Sequence, residues 1–115
     1  IERVIYVQIP KRMTLPLFVT WLRVNLRCEL SQSGQRLEVI INADNVEKGT
    51  FAALYAYMQG DQVMVRELAD TFYSREEARA ALDNPTDTYD PVPFHQWAKD
   101  QYWMANGVKV EKIVF

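Results

Sequence analysis

The sequence is poor in the residues from which small catalytic and metal sites are usually built. It has one cysteine, Cys28, and one histidine, His95. A lone cysteine excludes an internal disulfide, and its place in an alternating segment predicts a small core hydrophobe. With no second histidine or cysteine near it, His95 has no zinc-type ligand set. No serine is framed by glycines, so a histidine-based triad finds no marked nucleophile. The four glycines stand singly at positions 34, 49, 60 and 107, which excludes a glycine-rich phosphate cradle. Nothing here asks for a cofactor, and the expectation is a non-catalytic protein.

Long apolar runs are missing too. Leu15 to Val19 follows Lys11 and Arg12 but is too short for a signal peptide, and no segment has the length of a membrane-spanning helix. No membrane partner is expected. An excess of one charge is also lacking: the formal net charge is -2, which argues against indiscriminate nucleic-acid binding. Charge is nevertheless uneven, with Arg3, Lys11, Arg12, Arg23, Arg27 and Arg36 near the front and mostly acidic residues over 61–90. Such asymmetry can steer a partner or simply solvate two ends of a domain.

What remains is an ordinary globular composition with generous aromatics. At 115 residues the chain forms one domain, 1–115, able to bury roughly two-thirds of its unfolded surface. The single cysteine suits a reducing cytoplasm. The start at Ile1 and the apolar end Ile113-Val-Phe115 suggest part of a longer chain.

Hydropathy patterning supplies the architecture. Leu22, Val24, Leu26, Cys28 and Leu30 alternate with Arg23, Asn25, Arg27 and Glu29, the period of a strand with one buried face. Ser31-Gln-Ser-Gly34 is a turn signal before Leu37 to Ile41, so an N-terminal antiparallel hairpin follows. Thr14 and Pro16 are competing signals for a helix start over 15–30, but the strand pattern is the more regular. Glu2 to Ile9 reads as a first strand. Asp44 with Glu47 has capping-box spacing, and Phe51, Leu54, Tyr55 and Met58 recur with helical period up to a stop at Gly60. Gly49, Ala52 and Ala56 on the back of that helix would let a second element approach closely. Val63 to Val65, with a possible extension to Leu68, reads as a strand. Ser74 and Glu77 form a capping box, with Tyr73 and Ala78 in staple positions, for a helix ending at Asn84-Pro85. Asp90-Pro91 starts a last helix that Asn106-Gly107 ends, and Val108 to Phe115 closes the chain as a strand. The order is roughly β-β-β-α-β-α-α-β: an α/β domain, or α+β, with a mixed sheet and about three helices.

Two surfaces stand out. On the last helix Trp103 falls with Gln96, Lys99 and Asp100, opposite the apolar side, and Tyr102 lies on the flank. An exposed tryptophan among polar residues anchors a partner well, because it buries much area at low entropy cost. Trp103, Lys99, Tyr102 and Gln96 are therefore the candidate protein-binding residues, for a protein partner or a second copy. The second surface is Trp21-x-Arg23-x-Asn25-x-Arg27 on the outer face of the expected strand. An aromatic with arginines on a sheet can stack and clamp single strands, so Trp21, Arg23 and Arg27 are the candidate nucleic-acid contacts. The acidic residues suggest no metal set, since Asp44 is explained by capping. A site shared with another subunit would draw on Asp44 or His95.

Val39-Ile-Ile-Asn-Ala-Asp-Asn45, an expected helix and Val63-Met-Val-Arg66 resemble the opening of NYN-type, PIN-like ribonuclease domains. In that family a strand ends in a metal-binding aspartate, a position held here by Asn42. The resemblance therefore implies a degenerate, inactive ribonuclease-type domain that keeps a nucleic-acid-binding role. The primary expectation is a small cytoplasmic interaction protein acting through an exposed aromatic and charged surface.

Overall fold

A computed structural model describes residues 5–10, 12–26, 28–42, 51–100 and 108–114. In chain order the elements are β1 (Ile5–Pro10), α1 (Leu15–Asn25), β2 (Cys28–Ser33), β3 (Arg36–Asn42), β4 (Phe51–Gln59), β5 (Gln62–Phe72), α2 (Arg75–Asp83), β6 (Val92–Pro93), α3 (Phe94–Asp100) and β7 (Val108–Val114). Strands β2 to β6 form an antiparallel sheet in sequential order, and β1 pairs with β7 in parallel. The mixed α/β class, the early antiparallel hairpin and the number of helices are as the sequence predicts.

Two segments exchange roles. Residues 15–25 are a helix rather than the start of a strand. Thr14 is its N-cap, with the hydroxyl accepting from Leu17 N–H at 3.3 Å, and Pro16 sits in the first turn. Phe18, Trp21, Leu22 and Leu26 are buried while Val24 is 75% exposed, so burial follows a helical period and not alternation. The regular pattern over 22–30 was a composite: its first part belongs to α1, its last to β2, where Cys28 and Leu30 do share one face.

Conversely, 51–59 is a strand, not a helix. It is covered on both sides, so its apolar residues run nearly continuously and imitate a helical spacing. Ala52, Leu54 and Ala56 join the cluster under α1 and α3, whereas Ala53 packs under α2 with Phe51 and Tyr55 alongside. The small residues do permit close approach, but of helices to a strand. Gly60 is the first residue of the two-residue turn joining β4 to β5, with φ 63°, where glycine carries no steric penalty. Gly34 plays the same part between β2 and β3, with φ 64°.

The sheet thus lies between layers. Phe18, Trp21, Phe94 and Trp97 form an aromatic cluster on one face, with ring centroids 4.9–6.1 Å apart. Ala78 and Leu82 of α2 cover Ile40, Ala53 and Leu68 on the other. Ser74 caps α2, accepting from Glu77 N–H at 3.1 Å, while the Glu77 carboxylate accepts from Tyr73 N–H. Tyr73 itself is 81% exposed, so the expected hydrophobic staple does not form. Residues 87–89 run along β5 through the Leu68–Thr88 bridge and lead into β6. That pairing carries the chain past the expected helix start at Asp90-Pro91, and α3 begins at Phe94. Asp44, Gly49 and the Asn106-Gly107 stop lie outside the described residues.

Candidate binding surface at the turn end of the sheet

Because β2–β3 and β4–β5 are consecutive hairpins, their tight turns emerge at the same end of the sheet. Two cavities open there. One, of about 270 Å³, is lined by Arg12, Met13, Asp61, Gln62, Val63, Pro93, Phe94 and His95. The other, of about 410 Å³, is lined by Leu15, Gln32, Gly34, Gln35, Tyr57 and Met58. Residues entering the Gly60–Asp61 turn border one cavity, and residues leaving it border the other. The first brings a guanidinium, a carboxylate and an imidazole over a floor of buried Phe94 and Val63. His95 stands edge-on to Phe94 at 5.7 Å. The second is uncharged, with Met58 exposed and two glutamine amides at its rim.

Charged residues on the α2 face serve packing instead. Glu38, 4% exposed, accepts from Arg36 at 2.7 Å and from Arg79 at 2.6 Å. Arg36 also donates to the Leu82 carbonyl at 2.8 Å and stacks over Tyr55. Arg79 reaches Ser31 and Asp83 as well. Burial pushes the Glu38 carboxyl up, but the two guanidiniums outweigh it and hold the group below its ordinary value. The network ties α2 to β2 and β3.

Under α3, Glu67 accepts from Trp97 Nε1–H at 3.2 Å. Burial pushes its carboxyl above the ordinary range, and the indole hydrogen bond recovers part of the shift. The unfolded chain then ionises at lower pH than the folded one, so this group costs stability as pH rises between the two values and beyond. Glu67→Gln keeps an acceptor for the indole and removes the titration. It is expected to raise urea stability at neutral pH, with the gain vanishing on acidification below the carboxylate range. A variant equally stable at every pH would contradict this.

Of the residues singled out from sequence, Trp21 is 7% exposed inside the aromatic cluster and cannot stack on a base. Arg23 is exposed on the opposite side of the same helix, because two residues advance a helix by about 200°. The two do not share a sheet face, and Arg27 lies outside the described residues. The helix that the ribonuclease resemblance requires after Asn42 is, over 51–59, strand β4. Gln96 is exposed on α3, beside His95. Trp103 and Tyr102 lie outside the described residues, as does the side chain of Lys99. Cys28 is half-buried; burial pushes its thiol up and keeps it protonated, and the nearby Arg23 charge offsets only part of that shift.

The turn-end cavities were missed in the sequence because their linings come from four separated stretches. A readable clue was present: Gly34-Gln and Gly60-Asp both fit two-residue hairpin turns. Among the described residues no group of three or more His, Cys, Asp or Glu converges to hold a metal, and no helix is long and apolar enough to cross a membrane. No family model, curated protein or solved structure matches the chain.

Proposed function

We propose that the protein is a small non-catalytic binding module whose partner-facing surface is the turn end of the five-stranded sheet. The observation carrying this reading is the pair of cavities beside the Gly60–Asp61 turn, one bearing both signs of charge and the other uncharged. A protein segment with a charged side chain next to an apolar one fits both: Arg12, Asp61 and His95 select the charged group, and Leu15, Tyr57 and Met58 receive the apolar one. Rigid hairpin turns suit such a surface, since little ordering accompanies binding.

The test is selection of displayed peptides against the native chain, followed by anisotropy titration of the enriched sequences. Arg12→Glu and Met58→Asp change exposed positions and leave folding within about 0.5 kcal/mol. Each is expected to weaken the selected peptides by about tenfold or more. Peptides that bind both variants as well as the native chain, or a selection without a consensus, would overturn the reading.

A further inference from the structure

A second cavity type lies at the opposite end of β3 from its turn. Asn42, the last residue of that strand, sits opposite Phe51 of β4. Its Oδ1 is buried and has no hydrogen-bond partner among the described residues. Buried acceptors of this kind are rare, because losing water without replacement is costly. A cavity of about 200 Å³ opens beside it, lined by Cys28, Glu29, Ile40, Asn42, Phe51 and Arg75.

The lining limits what can enter. Ile40 is buried and Phe51 half-buried, so they offer apolar walls, one of them an aromatic ring. Glu29 and Arg75 pair with each other, so the charges at the cavity neutralise one another. The Cys28 thiol is protonated and adds none. A charged ligand would gain no unpaired counter-ion here. A pure hydrocarbon would leave Asn42 Oδ1 orphaned. One water would meet the acceptor, yet the cavity has many times the roughly 10–15 Å³ that one water probe needs.

We propose that this cavity binds a neutral planar small molecule carrying an N–H donor, of the carboxamide or amino-heteroaromatic class. The donor meets Asn42 Oδ1 and the ring lies between Phe51 and Ile40. The site is separate from the turn-end surface, and either stands if the other fails.

Benzamide and benzoate are suitable probes, equal in ring and shape but different in donor and charge. In spectra of the isotope-labelled native chain, benzamide is expected to shift the Asn42 side-chain amide and the Ile40 methyls, with a Kd on the order of 1 mM. Benzoate should bind at least about tenfold more weakly. Asn42→Leu removes the acceptor and fills space, so benzamide affinity should fall about tenfold or more while the melting temperature holds or rises. Should that variant fold poorly, the comparison of the two probes on the native chain decides by itself. Equal shifts from both probes, or none from benzamide at ten times the expected Kd, would overturn the proposal.

Discussion

Phe18→Ala lowers stability by about 3–5 kcal/mol, the cost of emptying a fully buried phenylalanine site. Phe18 meets Phe94 at 4.9 Å and Trp97 at 5.8 Å, both edge to face. The alanine therefore loses area burial and two ring contacts together. The loss is amplified by the place of the residue in the chain. Helix α1 has 11 residues, too few to persist without docking, and Phe18 is its most deeply set side chain with Leu22. For a domain whose total stability is of order 5–15 kcal/mol, much of the folded population is at stake. Urea unfolding of the variant measures the effect. Phe18→Leu keeps most of the volume and should cost less than half as much. A loss below about 1 kcal/mol for alanine would mean that α1 does not close this face of the sheet.

Glu38→Ala follows, with an expected loss of about 3 kcal/mol. Removing one member of a buried ion pair typically costs about 3–5 kcal/mol, because the partner charge is left behind. Here Arg36 and Arg79 are themselves 32% and 36% exposed and can turn toward water, which places the value at the lower end. Arg79→Met should cost less than half as much, since Arg36 still holds the carboxylate. The pH dependence carries its own sign. The folded-state pKa of Glu38 lies below its unfolded value, so its contribution is present above the unfolded value and is lost as pH falls through the folded one. The gap between native and Glu38→Ala unfolding midpoints should therefore shrink on acidification. Glu67 works in the opposite sense, because its pKa is raised. A pH-independent gap would show that Glu38 acts through packing alone.

Several elements were legible because their signals are local. The Gly34 turn sets the register of β2 on β3, and Leu37 to Ile41 forms the centre of β3 as expected. Ser74 and Glu77 start α2, and it stops at Asn84 before Pro85. Strands at 5–10 and 108–114 also fall where β-branched residues predict them, and β5 covers the expected Val63 to Leu68 but runs on to Phe72. The candidate surfaces were not legible to the same degree. Trp21 looked like an outward aromatic only while 21–30 was read as one strand, and the turn-end cavities draw on residues from 12 to 95.

By itself the sequence determined the α/β class, the turn at Gly34 and the Ser74 cap of α2. Each of these is decided within a few residues by backbone sterics and by hydrogen bonds from nearby side chains. Tertiary structure alone decided that 15–25 is helical and 51–59 extended. Both segments carry apolar residues compatible with either period, and the choice rests on which faces find partners. Residues 51–59 are extended because helices cover the sheet on both sides. Residues 15–25 are helical because only a helix turns Phe18, Trp21 and Leu22 together onto Phe94 and Trp97 while leaving Val24 and Arg23 in water.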